Sequence, residues 1–547
     1  MHFNKTEEVN RLLASGQNKE AFHTIYDYVS NYETHESLEN SAIDLLIQTS
    51  LLLGDKQNII LALDILSKRN GLTVQQIELT ANTYFKLNQL DKSYEQLKKI
   101  LEITPDNEKY LCKTGIVLYH LKDYERAKSF FEKISCAKKH TKEIIECYKY
   151  LALIHKELRN EAKSIELLES LLELQPADKL VKHELAGLYL SLGNTSRAIN
   201  IYEQIVAQDP SMDLSWTRLA YAKKIDSHSD PIIKKLKRRV RSANVKPLDK
   251  EGLYFALGKV FDDLKDYRKA LDYYRSANEM ILNRRGRFSK ENFNSFMEKI
   301  FELSSTDISQ GFPEMEREIL FVIGHPRSGS TLIEHIVGAH SQVEALGELN
   351  YFPELIRQYV GKELLVDSIA LEKLHKQYEA LFSTLSSPQC MVIDKRPDNW
   401  MFIGLIKKIF PRAKFIVSNR NIADITLSTY FQHLDSLVNY SSDFQSIREY
   451  DSVLQKALAR WKEEHGDAIL EINYEDVVDD CKTQTEKMLS FLGLDYQEQC
   501  LNFHQSTTYA RTASTVQVKK PLYRSSVNRI DNYRPFLSDA ELAAIEP

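Results

Sequence analysis

The sequence predicts an all-α solenoid of helical repeats, followed by an α/β P-loop-like domain with a parallel sheet. Residues 1–285 consist of successive amphipathic helical patterns with few glycines, and these patterns resemble one another. From residue 318 onward, short apolar runs alternate with helical patterns, which favours parallel strands covered on both faces. A glycine-rich loop follows the first of these runs and is the main candidate for a binding site.

The composition is that of an ordinary globular protein with more than one domain. The chain has 547 residues, of which 43% are hydrophobic and 27% charged. A net charge of −5 gives no reason to expect a nucleic-acid partner. The polar N-terminus has no apolar signal region, and no apolar run reaches the roughly 18 residues of a membrane helix. We therefore expect a cytoplasmic protein without a membrane span.

The cysteines predict free thiols and no metal site. The sequence has six of them, without a C-x-x-C pair and without a nearby histidine at metal-ligand spacing. They are Cys112, Cys136, Cys147, Cys390, Cys481 and Cys500.

The helical half has a period of 34 residues. Ala81 and Gly115 are 34 positions apart, and so are Pro176 and Pro210, each of which closes a copy. The segment Tyr254–Ala277 is a further copy. A period of 34 with two helices in each unit is typical of tetratricopeptide repeats.

Two interpretations of the repeats remain open. Each unit buries its apolar face only by stacking on its neighbours, so the array is either a scaffold or a groove for a peptide or protein partner. The basic segment Ser227–Pro247 is likewise either a solvated helix face or a basic patch. We predict repeats over residues 1–285, a linker over 286–317 and a second domain over 318–547.

Four apolar runs are predicted to form the parallel sheet of the second domain. They are Glu318–Gly324, Gln389–Asp394, Ala413–Asn419 and Ala468–Tyr474. In such sheets ligands bind beyond the carboxyl ends of the strands.

The loop "GHPRSGST" (Gly324–Thr331) has the glycine spacing of a nucleotide-binding P-loop, but Ser330 occupies the position of its lysine. Backbone N–H groups at the start of the following helix would form an anion cradle, to which Arg327 and Ser328 add donors. Without the lysine and without an acidic residue after a later strand, metal-dependent phosphoryl transfer by a kinase or NTPase is disfavoured. A structural turn is the remaining alternative.

Further motifs give the chain a family resemblance. "PRSGST" resembles the 5′-phosphosulfate loop of sulfotransferases, which use 3′-phosphoadenosine 5′-phosphosulfate (PAPS) without a metal. In Phe410–Gln432, Arg420 is followed eight residues later by Ser428, as in the family's 3′-phosphate segment, although Asn421 stands where the family usually has an aspartate. The repeats in front resemble bacterial tetratricopeptide-repeat sulfotransferases, and the second half resembles protein-tyrosine sulfotransferases.

The resemblance implies roles for individual residues. Glu348, in "EALGELNYF", matches the glutamate base of the tyrosine enzymes. Lys395 matches the lysine at the leaving group, with Arg327 as its partner at the sulfuryl group. Ser514, in "STVQVKKP", matches a serine near that group. The residues implied to bind PAPS are Arg327, Ser328, Gly329, Ser330, Thr331, Arg420, Ser428, Tyr474 (near the adenine) and Arg529 (over the 3′-phosphate).

Alternatives to these roles remain. The rival candidates for the base are His325, His340, His433 and Glu344. Lys395 could instead form a structural salt bridge with Asp394 or Asp398.

The resemblance implies a sulfotransferase with PAPS as cosubstrate and no metal, and it leaves the acceptor open. A glutamate base and the repeats favour a tyrosine of a protein or peptide docked by the repeats. A glycan, a lipid or a small molecule is the alternative acceptor, and an inactive tetratricopeptide adaptor is the alternative function. The sequence does not indicate an oligomeric state.

Overall fold

The structure, a computed structural model, describes residues 3–31, 40–54, 56–67, 71–135, 141–158, 160–306, 312–313, 315, 317–357, 368–383, 385, 390–434, 439–505, 522–524 and 526–546. These residues fall into two compact units, Met1–Val181 and Lys182–Pro547. Among the described residues, the regular elements of the first unit are helices, and the second unit holds further helices and a sheet. Helical repeats followed by a parallel-sheet domain confirm the predicted fold class.

Antiparallel helix pairs make up the repeat region. In the first unit the helices are α1 Phe3–Ala14, α2 Asn18–Ser30, α3 Asn40–Leu53, α4 Lys56–Ser67, α5 Val74–Lys86, α6 Leu90–Ile103, α7 Glu108–His120, α8 Tyr124–Ser135, α9 Lys142–Glu157 and α10 Glu161–Leu174. Helix α11, Lys179–Ser191, begins at the boundary between the units. In the second unit they are α12 Thr195–Gln208, α13 Asp213–Ala222, α14 Pro231–Val240, α15 Pro247–Asp263, α16 Tyr267–Arg285 and α17 Lys290–Ser305.

Small residues let the two helices of a repeat approach closely. A Cβ on Gly115 would lie 2.7 Å from the ring of Phe131, and one on Gly258 would lie 2.5 Å from the ring of Tyr274. Since real Cβ atoms do not approach ring carbons so closely, only glycine fits against these aromatic side chains. The small-residue positions read from the 34-residue period are therefore helix–helix contacts.

The basic segment Ser227–Pro247 contains the amphipathic helix α14. Its apolar side chains, among them Ile233 and Leu236, are buried, whereas Lys234 and Arg238 are exposed. This arrangement corresponds to the solvated helix face.

The predicted linker contains helix α17, and this helix packs on the sheet domain. Phe293 lies 5.4 Å, ring to ring, from Tyr450, and Phe301 lies 5.0 Å from Trp461. A Cβ on Gly404 would lie 2.6 Å from the Cβ of Ser304. The connection is therefore a packed helix within the second unit.

The sheet domain alternates strands and helices. Its strands are β1 Ile319–Gly324, β2 Val343–Ala345, β3 Met391–Lys395, β4 Lys414–Asn419 and β5 Ile469–Asn473. Its helices are α18 Ser330–Gly338, α19 Tyr351–Arg357, α20 Ser368–Ser383, α21 Ile403–Ile409, α22 Ile422–Tyr430, α23 Phe444–His465, α24 Tyr474–Asp479, α25 Cys481–Leu492 and α26 Asp539–Ile545. Short 3₁₀ helices include Pro397–Phe402 and Arg529–Asn532.

The five strands pair in the order β2-β3-β1-β4-β5, and every pair is parallel. β1, β3 and the middle of β4 are buried because helices cover both faces, which explains the apolar runs within them. β2 has three residues and no apolar run, so the sequence did not predict it.

The last repeat of the second unit packs directly against the sheet domain. The Tyr274 ring on α16 stacks on the Phe431 ring at 4.0 Å, just beyond the end of α22. Asn278 Nδ2 donates to the Tyr430 carbonyl oxygen at 2.8 Å. The C-terminal end of α22, the helix that carries Ser428, therefore packs against α16 of the last repeat.

Candidate functional site

The strand order creates a switch point between β1 and β4. The chain leaves β1 toward β2 on one side and returns later to β4 on the other side. In open parallel sheets the crevice outside such a point is the usual binding site. The loops after β1 and β4 flank this crevice, and they carry Arg327 and Arg420.

The loop after β1 is held tightly against β4. Ser418 Oγ donates to the Ser328 carbonyl oxygen at 3.0 Å. Gly324 has φ +138°, and a Cβ there would lie 2.5 Å from the Ser418 carbonyl oxygen. Only glycine therefore fits at this position. Arg327 has φ +73°, in the left-handed region where a non-glycine residue is uncommon and marks functional loops.

Helix α18 begins directly after Gly329, as expected for an anion-binding loop. Ser330 and Thr331 are buried in its first turn. Gly329 has φ +108°, and a Cβ on it would lie 2.7 Å from the Tyr474 ring. Tyr474 is in turn covered by the Arg420 guanidinium, whose carbon lies 4.7 Å from the ring centroid.

Gly329→Ala is expected to destabilise the protein by about 1–3 kcal/mol, because alanine is strained at this φ and clashes with the Tyr474 ring. Urea denaturation measures the change. Gly466→Ala is the matched control, since its Cβ would enter open space at φ −52°. A Gly329→Ala variant as stable as that control would contradict the packing described here.

Three arginines converge at the crevice. Arg327 Nε donates to Ser428 Oγ at 3.0 Å, and Arg420 Nη1 donates to the Arg327 carbonyl oxygen at 3.2 Å. Burial, together with the positive charges of Arg420 and Arg529, lowers the pKa of Arg327 to about 10. Like charges that crowd in this way favour binding of an anion between them.

Unsatisfied donors at the same place indicate where an anion fits. Ser328 Oγ and Arg420 Nε are buried and have no hydrogen-bond partner among the described residues. Buried polar groups are normally hydrogen-bonded, so such atoms at a loop commonly bind a ligand. Phosphate or phosphosulfate oxygens, which accept several hydrogen bonds, have the chemistry that these donors require.

Asp424 holds the segment that carries Arg529 against α22. Its carboxylate accepts hydrogen bonds from the backbone N–H of Asn528 at 2.8 Å and of Ile530 at 3.0 Å. It also lies 3.5 Å from Arg420 Nη2. Asn421, where the family usually has aspartate, caps α22 by accepting from the Ala423 N–H at 2.9 Å.

A carboxylate and an ammonium group form a second cluster at the ends of β2 and β3. Lys395 Nζ donates to Glu348 Oε1 at 2.6 Å and lies 3.8 Å from Glu334 Oε2. Lys395 and Glu334 are buried, whereas the Glu348 side chain is 34% exposed. The backbone fixes the pair as well, because the Lys395 N–H donates to the Gly347 carbonyl oxygen at 2.8 Å.

Asp394 lies beneath this pair and does not form an ion pair with Lys395. It accepts from Tyr378 Oη at 2.7 Å and from the Leu349 N–H at 3.4 Å. Burial raises the pKa of Asp394 to about 6. Asp398 accepts from Tyr450 Oη, so Lys395 pairs with glutamates instead of either aspartate.

The rival candidates for the base have structural contacts. His340 Nε2 contacts the Asp495 carbonyl oxygen at 3.0 Å, and His325 Nδ1 contacts the Pro326 carbonyl oxygen at 2.8 Å. His433 lies 3.3 Å from the buried Glu251 carboxylate. Glu344 lies within strand β2.

The contacts thus bring two groups of predicted residues together. Arg327, Ser428, Arg420, Tyr474 and Gly329 form one connected group, and Glu348 and Lys395 form the other. Ser514 lies outside the described residues.

The described residues include neither a metal-ligand group nor a membrane-spanning helix. No three His, Cys, Asp or Glu side chains within the described ranges are grouped as metal ligands would be. In the same part of the chain, none of the helices has the length and apolar character needed to cross a bilayer.

The two parts of the chain match different known families. Residues 320–498 match the sulfotransferase family. Residues 159–220, 80–107 and 252–283 match tetratricopeptide repeats.

Two relatives have sequences similar to this chain. An "Uncharacterized protein" of Aquifex aeolicus is 27% identical over 457 residues, which cover 80% of this chain and 59% of that protein. The chain therefore spans less than two thirds of the length of this relative. A "Putative protein-tyrosine sulfotransferase" of Caenorhabditis briggsae is 24% identical over 201 residues, which cover 34% of this chain and 70% of that protein.

Two solved structures are similar to parts of the chain. The sulfotransferase domain of the Synechococcus PCC 7002 olefin synthase is 18% identical, with a TM-score of 0.33, and the match covers 44% of this chain and 96% of that domain. A tetratricopeptide repeat protein from Parabacteroides merdae is 17% identical, with a TM-score of 0.33. The match covers 51% of this chain and 93% of that protein. The family models, taken by themselves, identify a sulfotransferase-family domain over residues 320–498 and tetratricopeptide repeats over residues 80–107, 159–220 and 252–283.

Proposed function

We propose that the chain transfers a sulfuryl group from PAPS to a hydroxyl acceptor. The observation that carries this proposal is the hydrogen bond between Arg327 and Ser428, 3.0 Å long. It joins the loop after β1 to the helix after β4, so one crevice contains donors for two separate anionic groups. PAPS has two such groups, a 5′-phosphosulfate and a 3′-phosphate.

The donors divide between these two groups. Residues 327–331 and the start of α18 bind the 5′-phosphosulfate, where the helix dipole and backbone N–H groups favour negative charge. Arg420, Ser428 and Arg529 bind the 3′-phosphate. Tyr474 provides an aromatic wall near the adenine, which its contacts with Gly329 and Arg420 support.

Glu348 and Lys395 perform the chemistry. Glu348 accepts the proton of the acceptor hydroxyl. At the same time the hydroxyl oxygen attacks sulfur and forms the new O–S bond. The bond between sulfur and the bridging oxygen breaks, and adenosine 3′,5′-bisphosphate leaves. Lys395 and Arg327 stabilise the negative charge that develops on the bridging oxygen, so side-chain cations serve where an NTPase uses a metal. Ser514, by its resemblance, lies near the sulfuryl group.

A tyrosine of a protein is the acceptor we favour. The Caenorhabditis briggsae relative carries the name of a protein-tyrosine sulfotransferase, and its match covers 34% of this chain. Tetratricopeptide repeats commonly bind proteins, so the repeats would dock the substrate. We place the reaction in the cytoplasm. Glycan, lipid and small-molecule hydroxyls are alternative acceptors for the same nucleotide site.

Adenosine 3′,5′-bisphosphate is expected to raise the melting temperature without added magnesium. At about 100 times its dissociation constant, a ligand of the native state adds about 2.7 kcal/mol of stability. A thermal-shift assay with millimolar ligand measures this effect, and ATP with magnesium is the comparison. Stabilisation by magnesium-ATP alone would contradict the proposal and support an NTPase.

A further inference from the structure

Helix α15 of the last repeat contacts the nucleotide side of the sheet domain through Asp262. Asp262 Oδ2 accepts a hydrogen bond from Arg529 Nη2 at 2.6 Å, and Oδ1 accepts one from Tyr533 Oη. Asp262 and Arg529 are separated by 267 positions in the chain, and their side chains are 21% and 26% exposed. A tetratricopeptide carboxylate thus binds the arginine that the proposed function assigns to the 3′-phosphate.

Aromatic packing fixes Asp262 in relation to the crevice. The Tyr267 ring of the same repeat lies 5.0 Å from the Tyr533 ring, and Tyr533 lies 4.8 Å from Phe431. The Arg529 guanidinium carbon lies 5.4 Å from the centroid of the Phe431 ring. The repeat, the end of α22 and the Arg529 segment therefore form one packed cluster, in which the carboxylate has little freedom to move.

The charges explain why a carboxylate is needed at this point. Arg529 is close enough to Arg327 for its positive charge to lower the pKa of Arg327, after the larger effect of burial. An unpaired Arg529 would therefore be repelled toward solvent. Asp424 is the counter-charge of Arg420, and Asp262 is the counter-charge of Arg529. The two carboxylates together hold the arginines at one place before an anion binds.

We propose that Asp262 is a positioning residue of the nucleotide site, which makes the last tetratricopeptide repeat a part of 3′-phosphate recognition. The proposal rests on the proposed function, because it assigns Arg529 to the 3′-phosphate of PAPS. It gives this repeat a role beyond docking of a partner. It also predicts that a change at Asp262 lowers the affinity for ligands with a 3′-phosphate and leaves the affinity for ligands without one unchanged.

The test compares adenosine 3′,5′-bisphosphate with AMP by isothermal titration calorimetry. In the Asp262→Asn variant, affinity for the bisphosphate is expected to fall about tenfold, the loss of one charge-assisted hydrogen bond, whereas affinity for AMP stays unchanged. AMP binding also reports that the 5′ loop is folded. Asp272→Asn is the matched control, since Asp272 is exposed on α16 and pairs only loosely with Arg275 at 3.6 Å. That variant is expected to bind both ligands as the unaltered protein does.

The possible outcomes distinguish this inference from the proposed function. If the unaltered chain binds neither ligand, the proposed function fails. If it prefers the bisphosphate and Asp262→Asn leaves that preference unchanged or increases it, only the role of Asp262 is overturned. Should Asp262→Asn not fold, Asp262→Glu replaces it, and a lowered preference is again expected. On an Arg529→Gln background the Asp262 change should have no further effect, and an additional loss would overturn the proposal.

Discussion

Glu348→Gln is expected to lower turnover by about 10²–10⁴-fold, the usual contribution of a general base, while nucleotide binding is retained. Glutamine has the shape of glutamate, and its carbonyl oxygen can still accept a hydrogen bond from Lys395. It cannot accept the proton of the acceptor hydroxyl. The change therefore removes the chemical step and leaves the geometry of the pair intact. Transfer of labelled sulfate from PAPS to acceptors in a cell lysate measures the turnover.

Glu344→Gln tests the alternative glutamate in the same experiment. Glu344 lies in strand β2, whereas Glu348 lies beyond the strand and accepts a hydrogen bond from Lys395 Nζ. We expect Glu344→Gln to retain turnover. Loss of turnover in Glu344→Gln, with full turnover in Glu348→Gln, would show that the base is misassigned. The thermal shift with adenosine 3′,5′-bisphosphate should be the same in both variants.

Four of the five strands were predicted from sequence: β1, β3 and β4, which are largely buried, and β5, which is mostly half-buried. β1, β3 and β4 each contain a run of at least three consecutive apolar residues, so burial is evident in the sequence itself. β2 is only three residues long and contains Glu344, and it becomes a strand because it pairs with β3 through Val343 and Met391. That information lies in the tertiary structure. The packing of α17, which lies in the predicted linker, likewise depends on distant residues such as Tyr450 and Trp461.

The sequence predicts candidate site residues where their spacing along the chain is short. Arg327, Ser328 and Gly329 occur in one short loop with a recognisable spacing, and Arg420 and Ser428 are separated by two helical turns. Asp262 was not predictable, because an aspartate near the end of a repeat helix is an ordinary solvated residue. Packing of the last repeat on the sheet domain, such as that of Tyr274 on Phe431, brings α15 to Arg529. Contacts between distant segments leave no such pattern in one sequence.

Lys395→Met is expected to have two effects of different origin. Turnover should fall by about 10²–10³-fold, as when one donor to a developing negative charge is removed. The free energy of unfolding should fall by about 3–5 kcal/mol, because the buried Glu334 carboxylate loses its ammonium neighbour. Activity and urea denaturation measure these effects. Lys376→Met, which breaks an exposed pair with Glu372, is the control and should change neither quantity appreciably.

The double variant Lys395→Met with Glu334→Gln separates the two effects. A neutral glutamine at position 334 removes the buried charge, so stability should recover by most of the amount lost in the single variant. Turnover should not recover, because the cation for the bridging oxygen is still missing. If turnover returned together with stability, Lys395 would be a structural residue that only neutralises Glu334. If neither returned, the carboxylate that Lys395 stabilises would be Glu348, at 2.6 Å, and not the buried Glu334.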